Sequence, residues 1–375
     1  MHILHLHSSF HAGGKELRSA KLINAFGAGA AHTIVSAQPG ALGAADAINR
    51  RIAVDYPQDF PPLAGKPLPG RLLAIARAMR GADLVLTYNW GAMDAVMAHT
   101  LFRDHLKLPP LVHHEDGFNE DEADGLKRSR NWYRRIALGK ASALVVPSRG
   151  LQAIALGAWA QPPGRVHRIV NGIDTAAYGR KAKPNALPRV VKRPGEKWLG
   201  TLAGLRAVKD LPRLVRAFSR LPEEWQLVIL GEGPEREAIR AEAMASGDAH
   251  RVHMPGFVAD PAAAVGLFDL FALSSRSEQF PISVVEAMAA GLAVAAPAVG
   301  DVADMVAEPN REFIVAPGDE AALSRAIEVL ARKDDLRSAI GTANRALARA
   351  HYDEATMVAA YRAVYGAALG RTSFP

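Results

Sequence analysis

Leu267-Phe268-Asp269-Leu270-Phe271-Ala272-Leu273, then Ser277-Glu278-Gln279-Phe280-Pro281-Ile282-Ser283-Val284-Val285-Glu286-Ala287-Met288-Ala289-Ala290-Gly291, decides how this chain is read. The first run is short and apolar, the length of a buried strand. After Pro281 the pattern turns helical and stops at Gly291. Proline is favoured at the first helical position and glycine just past the last. The segment therefore reads as strand, short loop and helix, with Glu278 in the loop and Glu286 inside the helix. At about 1.5 Å per residue, Glu286 lies roughly 7–8 Å beyond the helix mouth. The mouth offers unpaired amides, from Ile282, Ser283 and Val284, and the positive end of the helix dipole. A diphosphate fits the mouth, a ribose fits beside Glu286 and a sugar beside Glu278, which is the layout of a nucleotide sugar. Acids also gather in first helical turns for the dipole alone, so the pair by itself leaves that plainer reading open.

Outward from this segment, strands alternate with helices. Residues 3–7, 32–37, 84–88, 111–114 and 143–147 read as strands, with helices over 18–26, 72–79, 94–106 and 132–141. Asn171-Gly172-Ile173-Asp174 is a strong turn signal, and the stretch 180–197, with Pro184, Pro188 and Pro194, reads as a linker. The alternation restarts at 198–203 and continues through 226–230, 252–254, 267–273, 293–296 and 313–315. Helices over 323–331, 336–349 and 356–368 close the chain. Such alternation predicts an α/β fold of two doubly wound parallel-sheet domains, 1–175 and 176–353, facing a cleft. Ligands in such sheets bind beyond the carboxyl ends of the strands.

The bulk numbers narrow the classes. The chain has 375 residues, 49% apolar, enough for two ordinary domains with real cores. Cysteine is absent, which removes disulfides, thiolate nucleophiles and thiolate metal sites and fits a reducing cytoplasm. No apolar run approaches the ~20 residues that span a bilayer, and Met1-His2-Ile3-Leu4-His5-Leu6-His7 reads as a first strand rather than a leader. The formal charge is +7. Much of it sits in Lys127–Lys140, where Lys127, Arg128, Arg130, Arg134, Arg135 and Lys140 are interleaved with Trp132, Tyr133, Ile136 and Leu138. An acidic stretch precedes it: Glu115, Asp116, Glu120, Asp121, Glu122 and Asp124. Two readings stay open: a solvated helix beside an acidic loop, or a basic aromatic face resting on an anionic membrane at the inner side of the cytoplasmic membrane. Nucleic acid is disfavoured, because no nucleic-acid motif accompanies the charge.

Four further constellations carry chemistry. His11-Ala12-Gly13-Gly14-Lys15-Glu16 joins the first strand to the first helix, where Gly13 and Gly14 let backbone approach a ligand. Gly204-Leu205-Arg206-Ala207-Val208-Lys209 follows the first strand of the second domain, and Arg206 with Lys209 is a candidate diphosphate clamp. His113 and His114 end a first-domain strand, at a position where an imidazole can bond a sugar hydroxyl or move a proton. Gly231-Glu232-Gly233-Pro234 and Pro255-Gly256-Phe257-Val258 are tight turns after strands. No metal-binding spacing accompanies these residues.

Glu278 and Glu286, with seven residues between them and Glu286-Ala287-Met288-Ala289-Ala290-Gly291 behind, resemble the Glu-x7-Glu signature of glycosyltransferase family 4. Gly13-Gly14-Lys15-Glu16, the Arg206/Lys209 loop and the Gly231 turn match that family's pattern in order along most of the chain. Two departures stand out: Gln279 replaces the usual glycine, and Gly204 occupies the usual arginine position, leaving Arg206 only three residues before Lys209. The resemblance implies a GT-B fold in which 1–175 is the acceptor-side domain and 176–353 binds the nucleotide sugar, with a C-terminal helix, 354–370, returning to the first domain. It implies retaining, metal-independent transfer of a hexose from a nucleoside diphosphate sugar, a UDP-sugar ahead of a GDP-sugar, to a glycan or lipid-linked acceptor hydroxyl. By the same resemblance Lys209, Arg206, Ile282 and Ser283 hold the departing diphosphate, with Gly13, Gly14, Phe280 and Pro281 on the donor side. Glu286 binds the ribose, Glu278 the donor sugar, and His113, with His114 in reserve, sits near the reacting carbon. Gly231, Phe257 and Val258 lie on the nucleobase side. Three rivals share parts of this pattern: a nucleotide-sugar epimerase, an idle scaffold that binds membranes or partners through Lys127–Lys140, and a sequence-independent RNA binder.

Overall fold

The computed structural model describes residues 1–118, 122 and 125–375; Glu120, Asp121 and Asp124 of the acidic stretch lie outside them. The chain separates into two compact units, Met1–Val170 with Met357–Pro375, and Asn171–Thr356.

The first unit carries β1 (His2–His7), β2 (Ala31–Ser36), β3 (Val54–Asp55), β4 (Leu84–Tyr88), β5 (Leu111–His114), β6 (Ala143–Val146) and β7 (Val166–Arg168). They pair in the order β3-β2-β1-β4-β5-β6-β7, parallel throughout. β1, β4, β5 and β6 are buried almost end to end, as expected of strands covered on both faces. One face packs on the helices Pro69–Ala78 and Met93–Leu106, through Leu72, Ile75 and Val96, and Trp159 joins the same cluster. On the other, Tyr361 and Tyr365 of the last helix, Glu354–Ala368, join Ile3, Phe26, Leu86 and Tyr88 in one apolar cluster.

The second unit carries β8 (Lys197–Leu202), β9 (Trp225–Leu230), β10 (Val252–Gly256), β11 (Leu270–Ala272), β12 (Val294–Pro297) and β13 (Ile314–Val315), in the order β10-β9-β8-β11-β12-β13, also parallel. Counted within its own unit, the second sheet runs 3-2-1-4-5-6 and the first runs the same way with a seventh strand added at the far edge. The direction of winding reverses between β1 and β4 in one and between β8 and β11 in the other. Such a reversal opens a crevice at the carboxyl ends of the two flanking strands.

Some expectations change. β3 and β7 are additional edge strands, of two and three residues, too short to show a period. The strand expected over 267–273 shrinks to Leu270–Ala272, because the helix Ala262–Val265 ends in a turn that uses the amides of Leu267 and Phe268. Phe268 packs where a Cβ on Gly200 would meet its ring at 2.1 Å. The stretch 180–197 is no free linker: Lys192 donates to Leu267 O and Asp269 Oδ2, both at 2.6 Å. Among the described residues no helix is long and apolar enough to cross a membrane.

Candidate active site

In the second unit the two loops leaving the reversal meet. The β8 loop ends in a short 3-10 turn, Ala207–Lys209, and Asp210 takes the left-handed conformation at φ 47°. The β11 loop carries Ser274 to Pro281. Lys209 Nζ donates to Glu278 Oε1 at 2.5 Å, and Ser275 Oγ donates to the same oxygen at 2.7 Å. Ser274 Oγ donates to Lys209 O at 2.8 Å, the Arg276 amide donates to Val208 O at 2.8 Å, and Arg276 Nε donates to Asp210 Oδ2 at 3.0 Å. Two loops 69 residues apart in sequence are thus laced together by main chain and side chain. The Lys209 and Glu278 side chains keep 17% and 11% of their exposure, so an arriving ligand can still reach them.

The helix Ile282–Ala290 begins directly behind Glu278 and ends at Gly291, left-handed at φ 80°. Pro281 is its N-cap in an extended conformation, not its first residue. The Val284 amide already donates to Pro281 O at 3.1 Å. Of the three amides expected at the mouth, Ile282 and Ser283 therefore remain to meet an anion. Phe280 turns inward, 6% exposed, with its ring edge-on to Tyr352 at 5.6 Å; it holds the loop rather than facing a ligand. Gln279 O accepts from the Asp301 amide at 3.0 Å, and a Cβ on Gly300 would come within 2.5 Å of the Glu278 and Gln279 carbonyls. Gly300 therefore stays small, and the loop keeps its shape with a glutamine where the family pattern has glycine.

Glu286, one face of the helix further on, accepts from Tyr178 OH at 2.5 Å. Burial, and then the Glu286 charge, hold the Tyr178 phenol above its ordinary range. Tyr178 ends the short helix Thr175–Tyr178, whose N-cap Asp174 accepts from Ala177 N at 2.9 Å. The turn signal at 171–174 is the trace this partner leaves in the sequence, but nothing there announces its reach to Glu286.

On the β9 side a Cβ on Gly231, at φ 141°, would fall 1.9 Å from Ala203 O, so the strand ends of β8 and β9 touch only because this residue is glycine. Phe257 is 67% exposed and Val258 half-buried, just beyond β10. Arg206 is exposed beside Gly204, whose Cβ position lies 3.7 Å from its Nε. Sequence reasoning passed over Tyr178, Ser275 and Arg276.

In the first unit Gly13 is the extended N-cap of the helix Gly14–Phe26, at φ −119°, and needs no left-handed backbone. A Cβ there would lie 2.7 Å from Glu16 Oε2. Lys15 pairs with Glu16. His113 stands differently from expectation: its side chain has no exposure. Nδ1 lies 2.8 Å from Thr87 Oγ1 and Nε2 3.6 Å from Glu115 Oε2. β5 is a central strand covered on both faces, so its penultimate residue is enclosed. His114 points the other way, with Nε2 2.8 Å from Tyr365 OH, and burial pushes it down to about 3.

Glu115 also accepts from Arg134 Nε at 3.2 Å, and Glu122 accepts from Arg134 at 3.3 Å and from Arg130 at 3.0 Å. Arg134 is fully buried, its guanidinium 4.8–5.3 Å from the rings of Trp90, Phe118 and Trp159. The basic stretch 127–140 is therefore not one solvated face: Arg134 belongs to the interior and Tyr133 turns in to donate to Asp94 at 2.5 Å. Asp116 likewise takes both ends of the buried Arg18 guanidinium, at 2.5 and 2.8 Å. Burial alone would raise the Asp116 carboxyl, but Arg18 holds it below the ordinary range. Among the described residues no group of three or more His, Cys, Asp or Glu is placed to hold a metal ion.

Two family models cover this chain: that of the glycosyltransferase family 4 over residues 12–177, and that of the glycosyl transferases group 1 over 183–347. The chain belongs to glycosyltransferase family 4. This family-4 chain is 31% identical over 145 residues to the 2-deoxystreptamine N-acetyl-D-glucosaminyltransferase of Streptomyces fradiae, across 36% of this chain and 33% of that one. It is 29% identical over 231 residues to the GDP-mannose-dependent alpha-mannosyltransferase of Mycolicibacterium smegmatis, across 60% and 58%. It thus spans between 33% and 58% of the length of these two relatives. Anabaena HepE (Alr3699), solved in complex with UDP, superposes with a TM-score of 0.81 at 21% identity, over 98% of this chain and 100% of that one. That likeness shows the GT-B fold.

Proposed function

We propose that this family-4 chain is a retaining hexosyltransferase that moves a sugar from a nucleoside diphosphate donor to an acceptor hydroxyl in cell-envelope glycan, glycolipid or exopolysaccharide synthesis. The observation that carries the reading is the Lys209–Glu278 contact across the β8/β11 reversal, directly before the helix mouth at Ile282 and Ser283. The donor diphosphate lies against those two amides and Lys209, with Arg206 reaching in from the exposed side. Glu286, steadied by Tyr178, takes the ribose hydroxyls, Glu278 the sugar hydroxyls, and Gly231, Phe257 and Val258 flank the base.

In the reaction the bond from the anomeric carbon to the diphosphate oxygen breaks, and its electron pair leaves with the diphosphate. Lys209 and the helix mouth stabilise that charge as it develops. The acceptor oxygen bonds to the same face of the anomeric carbon, and its proton passes to the departing phosphate. The enclosed His113 serves as a positioning residue, orienting Glu115 and Arg134 behind the strand ends, and not as a group that meets substrate. A UDP-sugar is favoured, supported by HepE's complexes with UDP and UDP-glucose; the GDP-mannose-dependent relative supplies the competing donor.

The test is a thermal-shift panel of nucleoside diphosphates and nucleotide sugars. At a hundredfold excess over its dissociation constant, the true ligand stabilises by about 2.7 kcal/mol. No shift with any nucleotide removes the donor reading, and product release without an acceptor, with the sugar epimerised, moves it to an epimerase.

A second reading concerns location. Trp132 and Ile136, 60% and 53% exposed, stand one turn apart on the helix Arg128–Ala137, beside exposed Arg128, Arg135 and Lys140. This face suits peripheral contact with an anionic membrane. Cosedimentation with phosphatidylglycerol vesicles, lost in Trp132→Ala and absent with neutral vesicles, tests it.

A further inference from the structure

Glu278 commits its two oxygens unequally. Oε1 accepts from Lys209 Nζ at 2.5 Å and from Ser275 Oγ at 2.7 Å. Among the described residues nothing donates to Oε2. The two donors to Oε1 differ in kind. Lys209 carries a compact charge on a flexible stem, with 17% of its side chain exposed. Ser275 offers a neutral hydroxyl from a residue that is 1% exposed. The ammonium can swing away on its stem; the hydroxyl reaches no further than its own Cβ allows.

The surrounding bonds sharpen that difference. Ser274 Oγ donates to Lys209 O, and the Arg276 amide donates to Val208 O, both at 2.8 Å. The residues on either side of Ser275 are therefore tied to the β8 loop, and so is the main chain of the lysine. Only the Lys209 side chain is left to turn. Two other cations near this loop are already engaged. Arg276 Nε donates to Asp210 Oδ2 at 3.0 Å, and Arg213 pairs with the same oxygen at 2.8 Å. Asp210, held left-handed at φ 47°, gathers both arginines to itself.

One ammonium thus has two claimants. An anion at the mouth of the helix Ile282–Ala290 needs Lys209, and Glu278 already holds it. A diphosphate carries more charge than a carboxylate, and the amides of Ile282 and Ser283 bind it at the same time. The diphosphate therefore takes the lysine. Glu278 loses its cation just as it has to meet the sugar. Without a second bond, its side chain would turn toward water. The Ser275 hydroxyl keeps Oε1 in place, and Oε2 keeps its aim.

We propose that the diphosphate of the donor draws Lys209 away from Glu278, and that Ser275 then holds the carboxylate for the sugar. Ser275 is a positioning residue, acting through Glu278. The inference rests on the nucleotide-sugar reading above and adds to it the order in which the contacts change.

Titration calorimetry on the full chain tests it. The ligands are UDP-glucose, UDP-N-acetylglucosamine and GDP-mannose, each beside its parent UDP or GDP. The nucleotide sugar that wild type binds most tightly is carried forward with its parent. Glu278→Ala releases Lys209, so the parent binds about two- to fivefold more tightly, the range of a part-exposed ion pair. Ser275→Ala leaves the parent within about twofold, which also reports an intact site. The same variant weakens the nucleotide sugar about tenfold, the size of one hydrogen bond to a charged group. On the Glu278→Ala background, Ser275→Ala costs nothing further, because the serine acts through the acid.

A parent diphosphate that binds Glu278→Ala no more tightly than wild type overturns the exchange. Equal changes for parent and nucleotide sugar in Ser275→Ala, or a further loss on the Glu278→Ala background, overturn the role of the serine. Either result leaves the donor reading standing. A wild type that binds none of these ligands loses the donor reading and this inference with it.

Discussion

In the first unit the strands flanking the reversal end in His7 and Tyr88, two rings stacked at 3.9 Å in the interior. In the second they lead into Lys209 and Glu278, paired at 2.5 Å within reach of solvent. The strand order is the same, so topology places a crevice in each sheet, and the residues placed there decide what it does. The second unit puts opposite charges at the rim, and it buries neutral amides that satisfy one another. Asn310 and Asn344, for example, bond each other at 2.7 Å and close on the main chain of Leu292, Val294 and Ala307. The first unit places ionisable groups inside: His5, His7, His32, His99, His113 and His114, and the Glu115–Arg134–Glu122 network. Rim charges stay available to a ligand, whereas interior ones stay available only to each other.

The contrast breaks most visibly if Lys209 is dispensable. Lys209→Ala is expected to lower the transfer rate about 10²–10³-fold, the size of losing one preorganised donor to a developing anion. Arg206→Ala, at an exposed position, costs less than about tenfold by the same measure. Equal losses in a donor-turnover assay would place the diphosphate elsewhere.

Next in size is Arg134→Met, which leaves the buried Glu115 without its cation and Glu122 with Arg130 in place of two. Removing one partner of a buried pair costs about 3–5 kcal/mol. Hydrogen exchange resolved along the chain should show that loss in 1–170 and 357–375 and little change in 171–356.

Acid sharpens the same division. Burial, reinforced by neighbouring charges, lowers the basicity of His5 and His7 well below the ordinary histidine value, that of His32 to about 4 and that of His114 to about 3. An unfolded histidine takes up its proton near pH ~6.5. These rings are neutral when folded, so the unfolded state binds the extra protons. Stability is whole above about pH 6.5 and falls as the pH drops from there toward 4 and 3. Among the described residues the second unit has no buried histidine. Hydrogen exchange at pH 7 and pH 5 should loosen the first unit first; equal loosening would show that the histidines do not govern it.

The smallest effect is expected from Tyr178→Phe, which removes one hydrogen bond to Glu286 worth about 1 kcal/mol. UDP affinity by titration calorimetry should fall by about that amount. Unchanged affinity would mean that Glu286 needs no steadying to meet the nucleotide.

Local signals account for much of what the sequence disclosed. Gly291 is the left-handed stop expected from the pattern, and the buried central strands β1, β4, β5 and β6 are short apolar runs with clear ends. Pairings over long separations stayed hidden. Arg134 looked like one cation among six, because the acids that neutralise it, Glu115 and Glu122, read as a separate acidic loop. Tyr178 reaches Glu286 over 108 residues, and no periodicity encodes that. β3 and β7 were missed for the opposite reason, being too short to carry any pattern.

The last helix carries a consequence for synthesis. Met357, Tyr361 and Tyr365 complete the cluster around Phe26, Tyr88 and His114, and Arg362 donates to Ala25 O at 2.7 Å. A ribosome making this protein has finished β1 to β7 long before those residues emerge, so the early sheet waits with one apolar flank bare while the whole of 171–356 is threaded out. Chains arrested at residue 350 should therefore expose that flank to a chaperone or to protease, and adding the final segment as a separate peptide should cover it.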